Sequence, residues 1–316
     1  LWAIFMVDSS FGWAAGANGR IVHTSNGGAS WVQQGSAITA TIRSLSFVNP
    51  NEGWAVAEDG SILHYAPPDT TPTVTPSATA TWDGSTFTPT ATATASPTAS
   101  RTPTVTPTPT PSRTPTATAT PALGWVIQRQ APTSTAYQDV SCASPTECWV
   151  GGGHNWDPAP GDPGVVLHTT NGGDTWVEQT SANFSAGYVL ALDFKNAQVG
   201  AAVGRAGQVR VTTNGGATWS TVMAGLESAH LYAVEWAGAS DLWTTGNYSR
   251  FYQSTDSGAN WRSLSLGYTS VPWEVECLDA NRCLAAGSGW KIFWTADRGS
   301  NWTKVSPEPC CPHFLG

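Results

Sequence analysis

The sequence predicts an all-β fold, a propeller of four-stranded antiparallel blades, and three observations predict it. An eight-residue phrase recurs five times: TSNGGASW at 24–31, TTNGGDTW at 169–176, TTNGGATW at 212–219, STDSGANW at 254–261 and TADRGSNW at 295–302. The tryptophans closing the last four copies, Trp176, Trp219, Trp261 and Trp302, lie 43, 42 and 41 residues apart. A period just above forty without a long helical pattern fits blades of four short strands. A second motif runs in phase: an apolar residue is followed six positions later by Gly and an apolar run, as in Met6 and Gly12, Phe47 and Gly53, Phe194 and Gly200. Three more units keep the spacing with other pairs, Cys142 and Cys148, Trp236 and Leu242, Cys277 and Cys283, which makes six units.

Each unit reads as strands. In 187–222, GYVLALDF alternates as a first strand and VGAAVG follows after a short turn. QVRVT is a third strand after a Gly turn, and TWSTV a fourth after the recurring phrase. Short β-rich runs broken by Asn, Gly and Asp are what an all-β repeat requires.

The recurring phrase is a turn by its chemistry. Its third position is Asn26, Asn171, Asn214, Asp256 or Asp297, side chains that accept backbone N–H bonds locally. Its fifth position is always glycine (Gly28, Gly173, Gly216, Gly258, Gly299), which supplies a positive φ without Cβ strain. The Ser or Thr that opens it can tie the loop to itself, and the closing tryptophan (Trp31 in the first copy) is expected to pack on the blade. This is the Asp-box, or BNR, pattern. The chain thus resembles the Asp-box propellers: sialidases, sortilin ectodomains, some xyloglucan hydrolases and the photosystem II stability/assembly factor family. The longer run around 200–219, Gly-Gln-Val-Arg-Val-Thr-Thr-Asn-Gly-Gly before Ala-Thr-Trp, is most similar to the last of these. The resemblance covers essentially everything outside the Thr/Pro segment described below. It implies the fold strongly and an activity weakly, because the box is a structural turn in all these families. In the assembly-factor family the propeller escorts a membrane-protein partner, so the resemblance implies binding.

Charged residues are only 11% of the chain, against about 25% in ordinary domains, while tryptophan occurs 17 times. A net charge of −8 argues against nucleic acid or an anionic membrane as partner. No apolar run is long enough to span a bilayer.

From Pro67 to Pro121 Thr, Pro, Ala and Ser dominate, with 12 of the 22 prolines. Such a segment cannot bury a core and is expected to be disordered and extended, reaching about 170 Å at most. The island Trp82–Phe87 reads as a break in the low-complexity run. Ile62-Leu-His-Tyr65 aligns with Ile21-Val-His-Thr24, and Trp125-Val-Ile-Gln128 with Trp31-Val-Gln-Gln34, so the segment sits where a box belongs. Leu1 aligns with Ile42 in mid-unit, and Phe314 stands where a next first strand begins. The sequence is therefore read as an internal fragment. Its expected parts are 1–66, the last two units of one propeller; 67–122, the linker; and 123–316, the first four units of a second. A single propeller with a long insertion at one hairpin is the alternative.

Cys142–Cys148 and Cys277–Cys283 replace the Phe…Gly pair at one hairpin position, so a disulfide is expected across each. These pairs and the Thr/Pro stalk point to an extracytoplasmic, secreted or cell-surface protein. Cys310 and Cys311 are adjacent, so pairing with each other would be strained, and their partners are left open.

No catalytic, cofactor or metal set emerges. His23, His64 and His168 precede the box or its equivalent, where other units carry Val211, Gln253 and Trp294, so the position reads as a strand surface. A sialidase would need three converging arginines and an Arg-Ile-Pro start. Arg20-Ile-Val22 is not that start, and Arg205, Arg210 and Arg250 occupy ordinary repeat positions. For a glycosidase carboxylate pair the candidates are Asp157, Asp162, Glu274 and Glu276.

A binding role is read from geometry. Boxes and Cys hairpins should share one face of the propeller, and the second-to-third-strand loops the other. That second face collects Trp156, Asp157, Asp162, Tyr188, His230, Tyr232, Tyr248, Arg250, Tyr268, Trp273, Trp290 and Lys291, aromatic and charged groups suited to a peptide or glycan. The alternative is that many of them cover the blade ends. The expected function is a non-catalytic scaffold for a protein or carbohydrate ligand, with a sialidase- or xyloglucanase-type hydrolase as the alternative.

Overall fold

The computed structural model describes residues 1–66, 124–132, 135–154, 164–179, 188–205, 207–223, 230–248, 250–266, 271–288 and 291–304. The Thr/Pro segment, Cys310 and Cys311 lie outside the described residues, so the expected disorder of that segment falls there too.

Six four-stranded sheets follow one another along the chain. Blade 1 is β1 (Ala3–Met6), β2 (Gly12–Ala15), β3 (Ile21–Thr24) and β4 (Val32–Gln34). Blade 2 is β5 (Ile42–Asn49), β6 (Glu52–Ala57), β7 (Ser61–Ala66) and β8 (Gly124–Gln130). Blade 3 is β9 (Thr135–Cys142), β10 (Cys148–His154), β11 (Gly164–Thr169) and β12 (Val177–Glu178). Blade 4 is β13 (Val189–Phe194), β14 (Gly200–Gly204), β15 (Val209–Thr212) and β16 (Ser220–Met223). Blade 5 is β17 (Leu231–Trp236), β18 (Leu242–Gly246), β19 (Arg250–Ser254) and β20 (Arg262–Ser263). Blade 6 is β21 (Pro272–Cys277), β22 (Cys283–Gly287), β23 (Lys291–Thr295) and β24 (Thr303–Lys304). Every pairing is antiparallel between neighbours in sequence, the all-β propeller that the repeat predicts, and no α-helix occurs among the described residues.

Blade 2 straddles the Thr/Pro segment. Tyr65 pairs with Trp125 and His64 with Val126, so the strand after the segment completes the sheet begun before it. This is the arrangement of an interrupted hairpin.

The boxes sit at the third-to-fourth-strand turns and share one hydrogen-bond scheme. The opening hydroxyl accepts the N–H of the fifth-position glycine: Thr24 from Gly28 at 2.9 Å, Thr169 from Gly173 at 2.9 Å, Thr212 from Gly216 at 2.8 Å. Ser254 and Thr295 do the same for Gly258 and Gly299, at 2.8 and 3.0 Å. The third-position oxygen then accepts the N–H four residues on, as Asn214 does from Thr218 at 2.9 Å. Gly216 has φ +88°, and a Cβ there would also strike the Gln179 side chain, so the invariant glycine is required twice over. The fourth position is left-handed as well, and in blades 5 and 6 it carries Ser257 (φ 59°) and Arg298 (φ 60°). The repeat reading had missed that strain; Arg298 repays it with a two-pronged bond to Asp241 of blade 5, at 2.7 and 2.8 Å. The closing tryptophans Trp176 and Trp219 are buried, whereas Trp31 is 37% exposed.

The Phe…Gly motif is a packing rule. Phe47 pairs across the strands with Gly53, and Phe194 with Gly200. The ring lies over the glycine, where any Cβ would collide with it. In blades 3 and 6 both partners are replaced and bonded: Cys142–Cys148 and Cys277–Cys283, with Cα atoms 4.1 and 4.0 Å apart.

The core lies between blades. Trp13 of blade 1 packs with Leu45, Phe47, Ala55 and Leu63 of blade 2. Trp54 packs into blade 3, Trp149 into blade 4 and Trp243 into blade 6 in the same way. His23, His64 and His168 lie on these indoles, 4.5, 4.6 and 4.4 Å between ring centroids, as strand-surface partners.

Candidate functional site

The first strands are innermost. β5 packs on β9, β9 on β13, β13 on β17 and β17 on β21, so their inward side chains face a common axis. One repeat position on these strands, just before the Phe/Cys/Trp of the second motif, ties each blade to the next. Ser46 accepts the N–H of Cys142 at 3.1 Å, and Ser141 that of Phe194 at 3.0 Å. Asp193 accepts the N–H of Trp236 at 2.8 Å, and Glu235 that of Cys277. Asp139, two positions earlier in blade 3, accepts from Ser44 at 2.6 Å and from the Leu192 N–H at 2.9 Å, joining blades 2, 3 and 4.

These carboxylates crowd the axis. Burial pushes Asp139 and Asp193 up to about 6 despite their hydrogen bonds. Glu235 is raised well above the usual range by burial first and then by the charges of Asp193, Glu276 and Glu274. Glu274 reaches about 8 through burial and the charge of Asp139, from a blade on the other side of the axis. Glu274 and Glu276 are exposed along β21. Sequence reasoning listed Glu274 and Glu276 but missed Asp139, Asp193 and Glu235. The signal was present as a polar residue recurring at one repeat position, Ser46, Ser141, Asp193, Glu235 and Glu276.

The two ends of the blades differ as expected. The fourth box residue donates its N–H to the first-to-second-strand turn of its own blade, Gly215 to Gln198 and Arg298 to Asn281, so boxes and Cys hairpins share one end. At the other end the second-to-third-strand loops bond the starts of the first strands, Arg205 N–H to Tyr188 and Asn247 N–H to His230.

The candidate residues at that second end divide. Tyr188 is 3% exposed, its hydroxyl donating to the Ala136 carbonyl at 2.9 Å and its ring pressed where Gly153 lacks a Cβ. It seals blade 3 against blade 4. Tyr248 is 70% exposed with φ +57°, and the Arg250 guanidinium stands 5.9 Å from its ring centroid. Trp273 is 55% exposed at the start of β21, and Tyr232 and Lys291 are half-buried at the starts of β17 and β23. Blades 5 and 6 thus present aromatic and cationic side chains at this end. Trp156, Asp157, Asp162, Tyr268 and Trp290 lie outside the described residues. No group of three or more His, Cys, Asp or Glu with metal-holding geometry occurs among the described residues, and no helix there is long and apolar enough to cross a membrane.

Comparison with known proteins agrees with the fold and the box pattern. Residues 177–311 match the family model described as photosynthesis system II assembly factor YCF48. Photosystem II stability/assembly factor HCF136, chloroplastic, of Oryza sativa subsp. japonica is 40% identical over 55 residues, 17% of this chain and 13% of that protein. Among solved structures, YCF48 bound to D1 peptide superposes with a TM-score of 0.60 at 16% identity, covering 96% of this chain and 80% of that one. YCF48 from Cyanidioschyzon merolae gives 0.61 at 13% over 96% and 84%. The GH74 enzyme of Niastella koreensis gives 0.61 at 14%, over 96% of this chain and 45% of that enzyme. The chain is a BNR-type β-propeller most like the photosystem II assembly factor. The expectation of an extracytoplasmic, secreted or cell-surface location is overturned, because the curated relative is a chloroplastic assembly factor. Hairpin disulfides report an oxidising surrounding, not which compartment supplies it.

Proposed function

We propose that this BNR-type propeller, most like the photosystem II assembly factor, is a non-catalytic scaffold that holds an extended peptide segment of a partner protein. The seat is the loop end of blades 5 and 6, opposite the boxes. The observation that carries the reading is the rim itself: Tyr248 and Trp273 are both well exposed at one end of neighbouring blades, and Arg250 stands beside Tyr248. Exposed aromatic residues with an arginine are the usual anchors of a protein interface. The solved YCF48 complex, whose partner is a D1 peptide, supports a peptide ligand in a likeness of this fold. On this reading Trp156, Asp157, Asp162, Tyr232, Trp290 and Lys291 belong to the same face, and the chain is one propeller interrupted in blade 2.

Peptides selected from a displayed random library against the purified chain test it. Arg250→Ala and Trp273→Ala are each expected to weaken the best binder about tenfold, an ordinary anchor effect. Trp31→Ala, at the box end, should leave it unchanged. No selectable binder, or loss through Trp31→Ala alone, contradicts the proposal.

One observation favours a second reading. Burial and the Asp139 charge raise Glu274 to about 8, the protonation a general acid needs, and the GH74 enzyme shares the fold. Turnover of xyloglucan oligosaccharides that Glu274→Gln abolishes would establish it in place of the scaffold.

A further inference from the structure

Blades 1 and 2 use one repeat position differently. In blade 2 the loop Asp59-Gly60-Ser61, between the second and third strands, is closed by Gln130, which stands five residues after Trp125. The Gln130 amide donates to the Asp59 carbonyl at 2.6 Å and accepts from the Ser61 hydroxyl at 2.8 Å. The Ala131 N–H donates to the Gly60 carbonyl at 2.9 Å. In blade 1 the same loop reads Asn18-Gly19-Arg20, and the residue five after Trp31 is Ser36. Both loops hold their glycine left-handed, Gly19 at φ 64° and Gly60 at φ 77°. The Ser36 hydroxyl is too short to cross, and donates instead to the Ile38 carbonyl of its own connection at 3.2 Å.

The space that Gln130 closes in blade 2 is open in blade 1, as a cavity of about 640 Å³ between the 17–20 loop and residues 33–39. That size suits a small organic molecule. Its walls are tied together: the Gly19 N–H donates to the Ala40 carbonyl at 2.9 Å, and the Ile42 N–H to the Gly16 carbonyl at 3.0 Å. Asn18, Arg20, Gln33 and Thr39 line the cavity, and their side chains bond no other described residue. Nor do the backbone N–H groups of Ser36, Ala37, Ile38 and Thr39. Ala37 is left-handed, at φ 59°. A left-handed residue in a turn curls successive N–H groups towards one point, the concavity that holds anions. Arg20 is the one charged side chain among the described residues of the wall, in a chain of net charge −8.

We propose that this cavity binds a sugar phosphate. The Arg20 guanidinium and the N–H groups of residues 36–39 take the phosphate oxygens, which accept several donors at once. Asn18, Gln33 and Thr39 supply the donors and acceptors that sugar hydroxyls pair with. A bare anion would leave those three side chains unused, and a neutral sugar would leave Arg20 unused. The site lies on blade 1 and does not depend on the peptide seat of blades 5 and 6.

Titration calorimetry of the full chain tests it, with backbone amide shifts locating the ligand. The probes are a panel of hexose and pentose monophosphates, the same sugars without phosphate, and inorganic phosphate. At least one sugar phosphate is expected to bind more tightly than its parent sugar and than inorganic phosphate, shifting the amides of 18–20 and 36–39. Arg20→Ala should weaken it by about tenfold or more, the loss of a charge-assisted contact. Ser36→Gln should abolish it by restoring the side chain that closes blade 2. Arg20 is exposed, so Arg20→Ala carries the test even where Ser36→Gln unfolds the chain. No binding of any sugar phosphate at millimolar concentration overturns the proposal, as does binding that Arg20→Ala leaves unchanged. Inorganic phosphate that binds as tightly as every sugar phosphate also overturns it, because the cavity then holds an anion alone.

Discussion

Trp149→Ala is expected to destabilise the chain by about 3–5 kcal/mol, the usual cost of emptying a fully buried indole site. The side chain is 0% exposed and stacks on Phe194 of the next blade at 3.7 Å and on His168 of its own at 4.4 Å, nearly parallel to both. Its Nε1 donates to the Gly215 carbonyl in the box of blade 4 at 2.9 Å. The substitution therefore opens a cavity and removes a bond between blades at once. Val177, 65% exposed on an outer strand, provides the control, and Val177→Ala should change stability by less than about 0.5 kcal/mol. Equilibrium denaturant unfolding reads both. A Trp149→Ala loss below about 1 kcal/mol would show that the blade interfaces are not what holds the fold.

Stability is expected to fall as pH rises from 5 to 8.5. Asp139 and Asp193 stand at about 6 and Glu274 at about 8 in the folded chain, each above its ordinary carboxylate value, with burial the main cause. A group whose folded pKa is raised binds its proton more tightly when folded. Its contribution is complete below the unfolded pKa, near 4, and is lost as pH passes the folded one. The loss through Asp139 and Asp193 thus falls between about pH 4 and 6, and that through Glu274 extends to about pH 8. At roughly 1.4 kcal/mol per unit, the Asp139 displacement alone corresponds to about 3 kcal/mol. Glu274 is exposed to water, which screens its share to a fraction of the full conversion. Thermal midpoints across this range should decline, and Glu274→Gln should flatten the part above about pH 6.5. A midpoint that rises with pH would contradict the crowding of carboxylates at the axis.

Much of the fold was legible because its devices are local. A box needs only a hydroxyl, an Asx oxygen and a glycine within five residues, so Thr212, Asn214 and Gly216 announce the turn wherever they stand. The Phe194…Gly200 and Cys277…Cys283 pairs are equally local, set by two strands and one short turn. Contacts that join blades were harder to read. Gln128 and Gln179 reach the Gly172 and Gly215 carbonyls in the following boxes at 2.8 Å, but a glutamine three residues after a box tryptophan looks like any exposed strand residue. The acid cluster was hidden for the same reason, since Asp139 and Glu274 are 135 positions apart in the sequence and meet only when the blades surround one axis. The strand after the Thr/Pro segment is a further case: Trp125 shows the box pattern, and only pairing shows that its sheet began at Ile42. At the candidate rim, position was legible and exposure was not. Tyr188 and Tyr248 occupy the same end of the blades, yet one seals an interface and the other stands in solvent.

Backbone amide exchange of the full chain, with and without the best peptide from the selected library, tests the scaffold account most directly. Slowed exchange is expected at 230–232, 246–250, 271–274 and 287–291, the loop end of blades 5 and 6, with the boxes at 212–219, 254–261 and 295–302 unchanged. Slowed exchange at those boxes, with the loop end unchanged, would contradict it.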